Sequence, residues 1–332
     1  MKIVIVGAGA TGGFLGARLA RGGSDVTLVA RGPHLLAMRR DGVRVVAEGD
    51  EFVAHPECID DMAVVGLADV VFLTVKAHAL SSLAPQIGPL LGPSTAVVTA
   101  QNGLPWWYFL RGYEGPLAGT QLRTVDPDGA IAANIDIARV IGCVVYPATR
   151  VVEPGVIEHV EGTRFSLGEP DGSKSPRSQA VAAELVRAGL KAPVRPRIRN
   201  ELWLKLLGNV ALNPISALTR ATLVDVVGLA ETQAVARAVM EEADSVARGV
   251  GVEMEVGIDQ RLAGAGRVGA HKTSMLQDVE AGRPLEVEAL LGAVVETGEL
   301  LGLPLTALKT LYACTKLLDQ TLRGGIAQRS AG

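Results

Sequence analysis

Long hydrophobic runs are missing from this chain of 332 residues. Its mean hydropathy is +0.29, yet Gly, Asp or Lys cuts every apolar run short of the ~18–20 residues of a spanning helix. Met1-Lys2 leads straight into Ile3-Val4-Ile5-Val6 and glycines, without the apolar segment and small-residue cleavage site of a signal peptide. A cytoplasmic protein with no membrane partner is expected. Cysteine is scarce: Cys58, Cys143 and Cys314 lie far apart and form no CxxC pair. A disulfide framework and a structural zinc site are thereby excluded, and no metal is expected. Charge of one sign is not in surplus, since 32 Lys and Arg face 35 Asp and Glu. A net charge of −3 leaves nothing to neutralise the phosphates of a nucleic acid. The five histidines are scattered (His34, His55, His78, His159, His271), and GxSxG, HExxH and Walker patterns are absent, so hydrolytic chemistry finds no support.

Apolar residues, by contrast, make up 48% of the chain, enough for sizeable cores and incompatible with global disorder. At roughly 100–200 residues per domain the length suggests about two domains. Short apolar runs alternate with helical patterns in the first half. Expected strands are Lys2–Val6, Asp25–Val29, Val43–Ala47, Asp69–Val75 and Ala96–Ala100, then Arg139–Tyr146, Val156–Val160 and Thr163–Leu167. Ala10–Gly22, His78–Leu91 and Ser178–Ala188 read as helices, and Glu153-Pro154-Gly155 as a hairpin turn. This βαβ rhythm predicts an α/β doubly wound parallel sheet of the Rossmann type. After Pro193-Val194-Arg195-Pro196 the patterns become long and helical. The expected domains are therefore 1–196, of the nucleotide-binding Rossmann type, and 197–332, all-α. The tail Gly324–Gly332 is expected to fray.

Gly7-Ala8-Gly9-Ala10-Thr11-Gly12 fits G-x-G-x-x-G, directly after a strand and opening a helix. Gly7 permits the tight turn, Gly9 lets the backbone approach a pyrophosphate, and Gly12 allows close helix–strand packing. The helix N-terminus supplies unpaired N–H groups for the phosphates. The second strand ends Leu28-Val29-Ala30-Arg31, without the carboxylate that binds an NAD ribose; Asp25 stands at the wrong end. Arg31 sits where a 2′-phosphate would lie, which points to NADPH, the alternative being an ordinary solvated arginine. Lys76 and Gln101-Asn102-Gly103 follow further strand ends, where ligands of open α/β sheets bind. Each could equally be a loop residue serving local backbone groups.

Lys205, Asn209 and Asn213 recur at i, i+4 and i+8 within an otherwise apolar helix that Pro214 is expected to end. A polar stripe on a buried helix needs partners, and asparagine is a poor residue for a merely solvated face. Downstream lie Lys272-Thr273-Ser274-Met275-Leu276-Gln277-Asp278 and Gly282-Arg283-Pro284-Leu285-Glu286. Taken alone, Glu286 in the first turn of a helix after Pro284 reads as a structural carboxylate.

In their order along the chain, these features resemble the ketopantoate reductase (2-dehydropantoate 2-reductase) family: GAGATG, Lys76, Gln101-Asn102-Gly103, W-x-K-x-x-x-N-x-x-x-N-P, KTSMLQD and G-R-P-x-E. The resemblance implies a Rossmann domain followed by a helical domain like that of 6-phosphogluconate dehydrogenase, with the active site in the cleft between them. It implies NADPH-dependent reduction of a small-molecule 2-oxo acid, 2-dehydropantoate to (R)-pantoate, in pantothenate biosynthesis. Lys205 would be the catalytic lysine and Glu286 the active-site glutamate. Asn102, Asn209, Asn213 and Ser274 would bind substrate. Gly7, Gly9, Ala10, Thr11, Gly12, Arg31, Lys76 and Asn102 would bind cofactor.

The chain departs from the family's T-E-I-D and later I-N-G segments, having Leu285-Glu286-Val287-Glu288 and Leu290-Leu291-Gly292. Trp106-Trp107-Tyr108-Phe109 gathers four aromatics in a chain with only three Trp, four Tyr and five Phe. If that loop borders the cleft, a bulkier 2-oxo acid becomes the alternative substrate; otherwise it packs into a core or against a subunit. A non-catalytic NADP-binding sensor is the reading from another class. The Leu- and Ala-rich helical half would allow a homodimer.

Overall fold

The KIVIV run at the N-terminus forms β1 (Lys2–Val6), buried from Ile3 to Val6. An unbroken apolar strand needs cover on both faces, which a parallel sheet with flanking helices provides. β1 pairs in parallel with β2 (Asp25–Val29) after the crossover helix α1 (Ala10–Arg21). Helix α2 (Gly32–Asp41) then leads to β3 (Val43–Ala47), β4 (Asp50–Ala54) and β5 (Glu57–Ile59). β6 (Ala68–Leu73), α3 (Ala77–Leu83), β7 (Leu91–Thr99), α4 (Ala130–Asn134) and β8 (Val140–Val145) follow. β9 (Ala148–Glu153), β10 (Val156–Glu161), β11 (Phe165–Gly168) and α5 (Pro176–Arg187) complete the α/β part. This computed structural model describes residues 1–330, with side chains to residue 324.

Seven strands form one sheet in the order β11-β8-β7-β6-β1-β2-β5. All neighbours are parallel except β11, which is antiparallel to β8. From β5 to β8 this is the 3-2-1-4-5-6 order of a doubly wound dinucleotide-binding sheet, as the sequence rhythm predicts. A second, four-stranded sheet runs β4-β3-β10-β9, with only β3 and β10 parallel. It packs on α1, where the Phe14 ring stacks on His159 with centroids 4.4 Å apart.

Several expectations need correction. Val43–Ala47 is a strand, but it belongs to the small sheet; the third position of the large sheet is taken by the short β5. β4, β5 and β9 are additional strands, and the Glu153-Pro154-Gly155 turn joins β9 to β10. The helix expected over His78–Leu91 stops at Leu83 and breaks into 3-10 turns at Ala84–Gln86 and Gly88–Leu90. Pro85 and Pro89 remove the N–H groups that a continuing α-helix would need.

The remaining elements are helical: α6 (Ile198–Thr219), α7 (Leu223–Gly228), α8 (Ala230–Gly249), α9 (Ile258–Val268) and α10 (Ser274–Glu280). A π-helical turn, Glu288–Gly292, runs into α11 (Ala293–Leu300), and α12 (Thr306–Ser330) ends the described chain. Pro214 does not end α6 at Asn213 but lies inside it. An internal proline costs about 3 kcal/mol. The turn beyond it buries Ile215, Ser216 and Ala217 at 4% exposure or less, and such burial offsets the loss, one large aliphatic side chain alone contributing about 1.5–3 kcal/mol. The tail expected to fray is helical through Ser330, and residues 331–332 lie outside the described residues.

By contacts the chain divides into two units. One comprises Met1–Gln101, Leu110–Tyr113 and Asp128–Ile198; the other comprises Asn102–Phe109, Glu114–Pro127 and the chain from Arg199 onward. Two segments within the expected 1–196 domain thus pack with the helices. Ile3, Ile5, Phe14, Leu15, Leu28 and Phe72 centre the first unit's core, and Trp107, Tyr108, Phe109 and Trp203 lie fully buried in the second. Among the described residues, no helix is long and apolar enough to cross a membrane, and no cluster of three or more His, Cys, Asp and Glu could hold a metal.

Candidate active site

In the first unit the glycine-rich turn joins β1 to α1. Gly7 has φ +104°, and a Cβ there would stand 2.6 Å from Val75. A Cβ on Gly12 would collide with the Gly7 carbonyl and with Thr74 Oγ1, which donates to that carbonyl at 2.9 Å. Gly9, the N-cap of α1, faces open space instead. An unsubstituted, open backbone at a helix N-terminus suits a pyrophosphate. Ala10 and Thr11 follow as the first two helical residues, and the first turn of α1 carries no acidic side chain to repel an anion.

Arg31 directly follows β2 and Ala30 as the N-cap of α2, with its side chain exposed. No ion pair engages it among the described residues, whereas Arg39 is paired with Asp60 and Arg40 with Asp41. Lys76 is the half-buried N-cap of α3, two residues beyond Thr74. These residues fit a dinucleotide, and the uncommitted guanidinium fits a second phosphate on its ribose. Sequence reasoning overlooked His34, whose Nδ1 accepts the Gly155 N–H at 2.9 Å and so ties α2 to the β9–β10 turn. Burial lowers its pKa. Nothing in the sequence distinguishes it from the other histidines.

The second unit gathers the other polar residues. Lys205, half-buried on α6, donates from Nζ to Asn102 Oδ1 at 2.7 Å. The same amide donates from Nδ2 to Glu286 Oε2 at 3.4 Å. Asn102 thus stands between an ammonium and a carboxylate. Glu286 is not in a first helical turn but just before the helix, and its carbonyl accepts the Leu290 N–H at 3.2 Å. Gly103, at φ +87°, passes so close to Ala289 that a Cβ would collide with the Ala289 carbonyl, which accepts the Leu104 N–H at 3.0 Å. Arg261 of α9 donates to the Leu204 carbonyl, beside Lys205; no motif or spacing singles it out.

Asn209 is half-buried and Asn213 only 6% exposed, and among the described residues neither amide makes a hydrogen bond. Ser274 is exposed at the start of α10, where Thr273 provides the cap by accepting the Leu276 N–H at 3.2 Å. The structure therefore links Asn102, Lys205 and Glu286 by hydrogen bonds but does not join Asn209, Asn213 or Ser274 to them. Trp106 to Phe109 do not form an open wall, being at most 3% exposed. Trp203 donates from Nε1 to the Tyr108 hydroxyl at 2.8 Å, and the Arg199 guanidinium lies over the Trp107 and Tyr108 rings.

Chemically, this arrangement sets an ammonium beside an amide that also engages a carboxylate, and an ammonium can stabilise an oxygen that gains negative charge. Comparison with known proteins supplies the family. The family model for ketopantoate reductase PanE/ApbA matches residues 3–172, and that for its C-terminal part matches 197–319. A 2-dehydropantoate 2-reductase from Mesorhizobium japonicum is 51% identical over 96% of this chain and 98% of its own. A solved ketopantoate-reductase-type structure from Ralstonia solanacearum MolK2 shares 43% identity and superposes with a TM-score of 0.92, covering 97% of this chain and 98% of that one. D-mandelate dehydrogenase, at 19% identity and a TM-score of 0.83 over 97% of this chain and 100% of its own, shares the fold. With both halves matched and this degree of identity, the chain belongs to the ketopantoate reductase family of NAD(P)-dependent oxidoreductases.

Proposed function

We propose that this chain is a cytoplasmic reductase that uses NADPH to convert 2-dehydropantoate to (R)-pantoate, a step of pantothenate biosynthesis. The observation that carries the reading is the Lys205–Asn102–Glu286 hydrogen-bond chain. NADPH, when bound, supplies the hydride that reduces C2. Gly7, Gly9, Ala10, Thr11 and Gly12 would hold its pyrophosphate, Arg31 its 2′-phosphate, and Lys76 a further part of the cofactor. Lys205 polarises the 2-oxo group and gives a proton to the oxygen as it becomes an alkoxide. Asn102 fixes the direction of that ammonium through its carbonyl oxygen. Glu286 orients the opposite end of the Asn102 amide and takes the substrate hydroxyl as its own partner. Asn209, Asn213 and Ser274 have polar groups left over for the remaining substrate oxygens, an arrangement in which unpaired amides are useful rather than costly.

The deciding experiment follows loss of NADPH absorbance with ketopantoate beside a panel of bulkier 2-oxo acids, and repeats it with NADH. The expected result is a clear kcat/KM preference for ketopantoate and for NADPH. A preference for a bulkier acid would move the substrate and keep the chemistry. The enclosed aromatic segment 106–109 gives that alternative no support, because buried rings are not free to line a larger pocket. Silence across the panel with NADPH still bound would favour the sensor, against which stand the retained Lys205 and Glu286.

A further inference from the structure

Glu286 lies outside regular helix, so the direction of its side chain depends on what holds the residues around it. Both flanks are held by α12. Before it, the Leu285 N–H donates to Asp319 Oδ1 at 2.8 Å. Asp319 is 9% exposed, and its second oxygen takes Arg323 Nε at 2.7 Å. After it, Glu288 Oε2 accepts the Tyr312 hydroxyl at 2.6 Å and Oε1 lies 2.9 Å from Lys316 Nζ, which also donates to the Tyr312 oxygen at 3.0 Å.

Tyr312, Lys316, Asp319 and Arg323 are spaced four, three and four residues apart, which places them along one face of a helix. Such a stripe normally meets water. Here it meets the two residues nearest Glu286 that offer a polar group to it. Burial, then the neighbouring Glu288, push the Tyr312 hydroxyl above its ordinary pKa, so it remains a donor across the physiological range.

The π-helical turn links this grip to the lysine. Glu288 opens that turn, and its next residue, Ala289, receives the Leu104 N–H. The loop carrying Asn102 is therefore docked on the turn whose start α12 holds. π-turns are rare and occur often at functional sites, where the irregularity frees backbone groups for such contacts.

We infer that Asp319, with Tyr312 and Lys316, acts as a set of positioning residues that fix Glu286 from both sides. The inference rests on Glu286 being the substrate-facing carboxylate of the proposed reductase. These side chains act through the backbone at 285 and the carboxylate at 288, and need not touch the substrate. A catalytic group must be held within about 0.5 Å of its productive place, and looser support costs turnover before it costs folding.

The test uses the full chain and compares Asp319→Ala, Asp319→Asn and Tyr312→Phe, each alone and combined with Glu286→Gln. Asp319→Ala is expected to lower kcat/KM for ketopantoate about 10- to 100-fold, as small misplacements do, with the NADPH dissociation constant unchanged. Asp319→Asn keeps an oxygen for the Leu285 N–H and recovers most of that loss. With Glu286 already replaced, Asp319→Ala should cost less than about twofold, the non-additivity of groups acting through one another. An equal loss in both backgrounds would overturn the inference and leave Asp319 a stability residue. Should Asp319→Ala fail to fold, Tyr312→Phe removes one hydroxyl and runs through the same cycle. Hydrogen exchange at the Leu285 amide reads the grip without any turnover. Faster exchange in Asp319→Ala than in wild type, with Asp319→Asn closer to wild type, supports it, and unchanged exchange in Asp319→Ala overturns it. If the wild-type chain reduces no 2-oxo acid, the proposed function fails while the exchange measurement still decides the grip.

Discussion

Lys205 donates a hydrogen bond to the Asn102 amide oxygen, and the proposed reaction makes it the proton donor. Replacing it with alanine should lower kcat roughly 10²- to 10⁴-fold, the usual worth of a positioned acid. Single-turnover kinetics beside a fluorescence titration with NADPH checks this, since cofactor affinity should hardly change; an equal loss of affinity would reassign the residue to the cofactor. His34 carries a different prediction. Its Nδ1 must be unprotonated to accept the Gly155 N–H, and burial lowers its pKa below the ordinary 6.5. The unfolded chain therefore takes up a proton at higher pH than the folded one. The contribution is complete above pH ~6.5 and is lost as pH falls towards the folded-state value. Melting temperatures from pH 8 to 5 should fall more steeply for wild type than for His34→Gln, and parallel curves would refute the assignment. Spacing made Lys205 legible as a residue in need of partners. Asn102 lies 103 residues from Lys205, and Glu286 lies 184 residues from Asn102. No periodicity reaches that far, so Asn102 and Glu286 became specific only through the family resemblance.

Among the elements, those with a strong repeating pattern are legible in the sequence. β1 and β2 have the limits that the sequence suggests, because a buried apolar run with glycine or arginine just beyond it leaves little choice. β5 has three residues, and β4 and β9 mix charge with apolar residues; none carries a pattern longer than its neighbours' noise. β5 pairs with β2, whereas β4 on β3 and β9 on β10 are joined into one sheet over α1 only because β10, far beyond β3 in the chain, pairs with it. Pro214 misled for the opposite reason: local backbone chemistry was plain, and burial of the following turn outweighed it. The π-helical turn supports a prediction of its own. Gly103→Ala would place a methyl against the Ala289 carbonyl and keep a left-handed φ, which costs a non-glycine residue about 1–2 kcal/mol before any clash. The loop should shift, lowering the melting temperature and cutting kcat/KM roughly 10²-fold. Calorimetry with steady-state kinetics would test it, and a variant with native stability and turnover would show that the close approach is unimportant.

In the whole molecule, chain order and spatial grouping disagree. Asn102–Phe109 and Glu114–Pro127 belong with helices that begin at Arg199, and the stretch between them returns to the first unit. Composition could place a boundary near Pro196, where the pattern changes, but not a grouping in which the chain departs and comes back. One consequence is that residues 199–332 expressed alone should not fold cooperatively. They lack Asn102 for Lys205 and the Tyr108 hydroxyl for Trp203, along with three aromatic side chains of the same core. Near-UV circular dichroism and a denaturant titration would show a featureless spectrum and no sigmoidal transition; a sharp two-state curve would refute this. The same arrangement sets a delay during synthesis. Trp203 leaves the ribosome 95 residues after Tyr108, about 5–19 s later at roughly 5–20 residues per second. For that interval four adjacent aromatic rings have no helix to cover them, so this segment is exposed apolar surface until the second unit is complete.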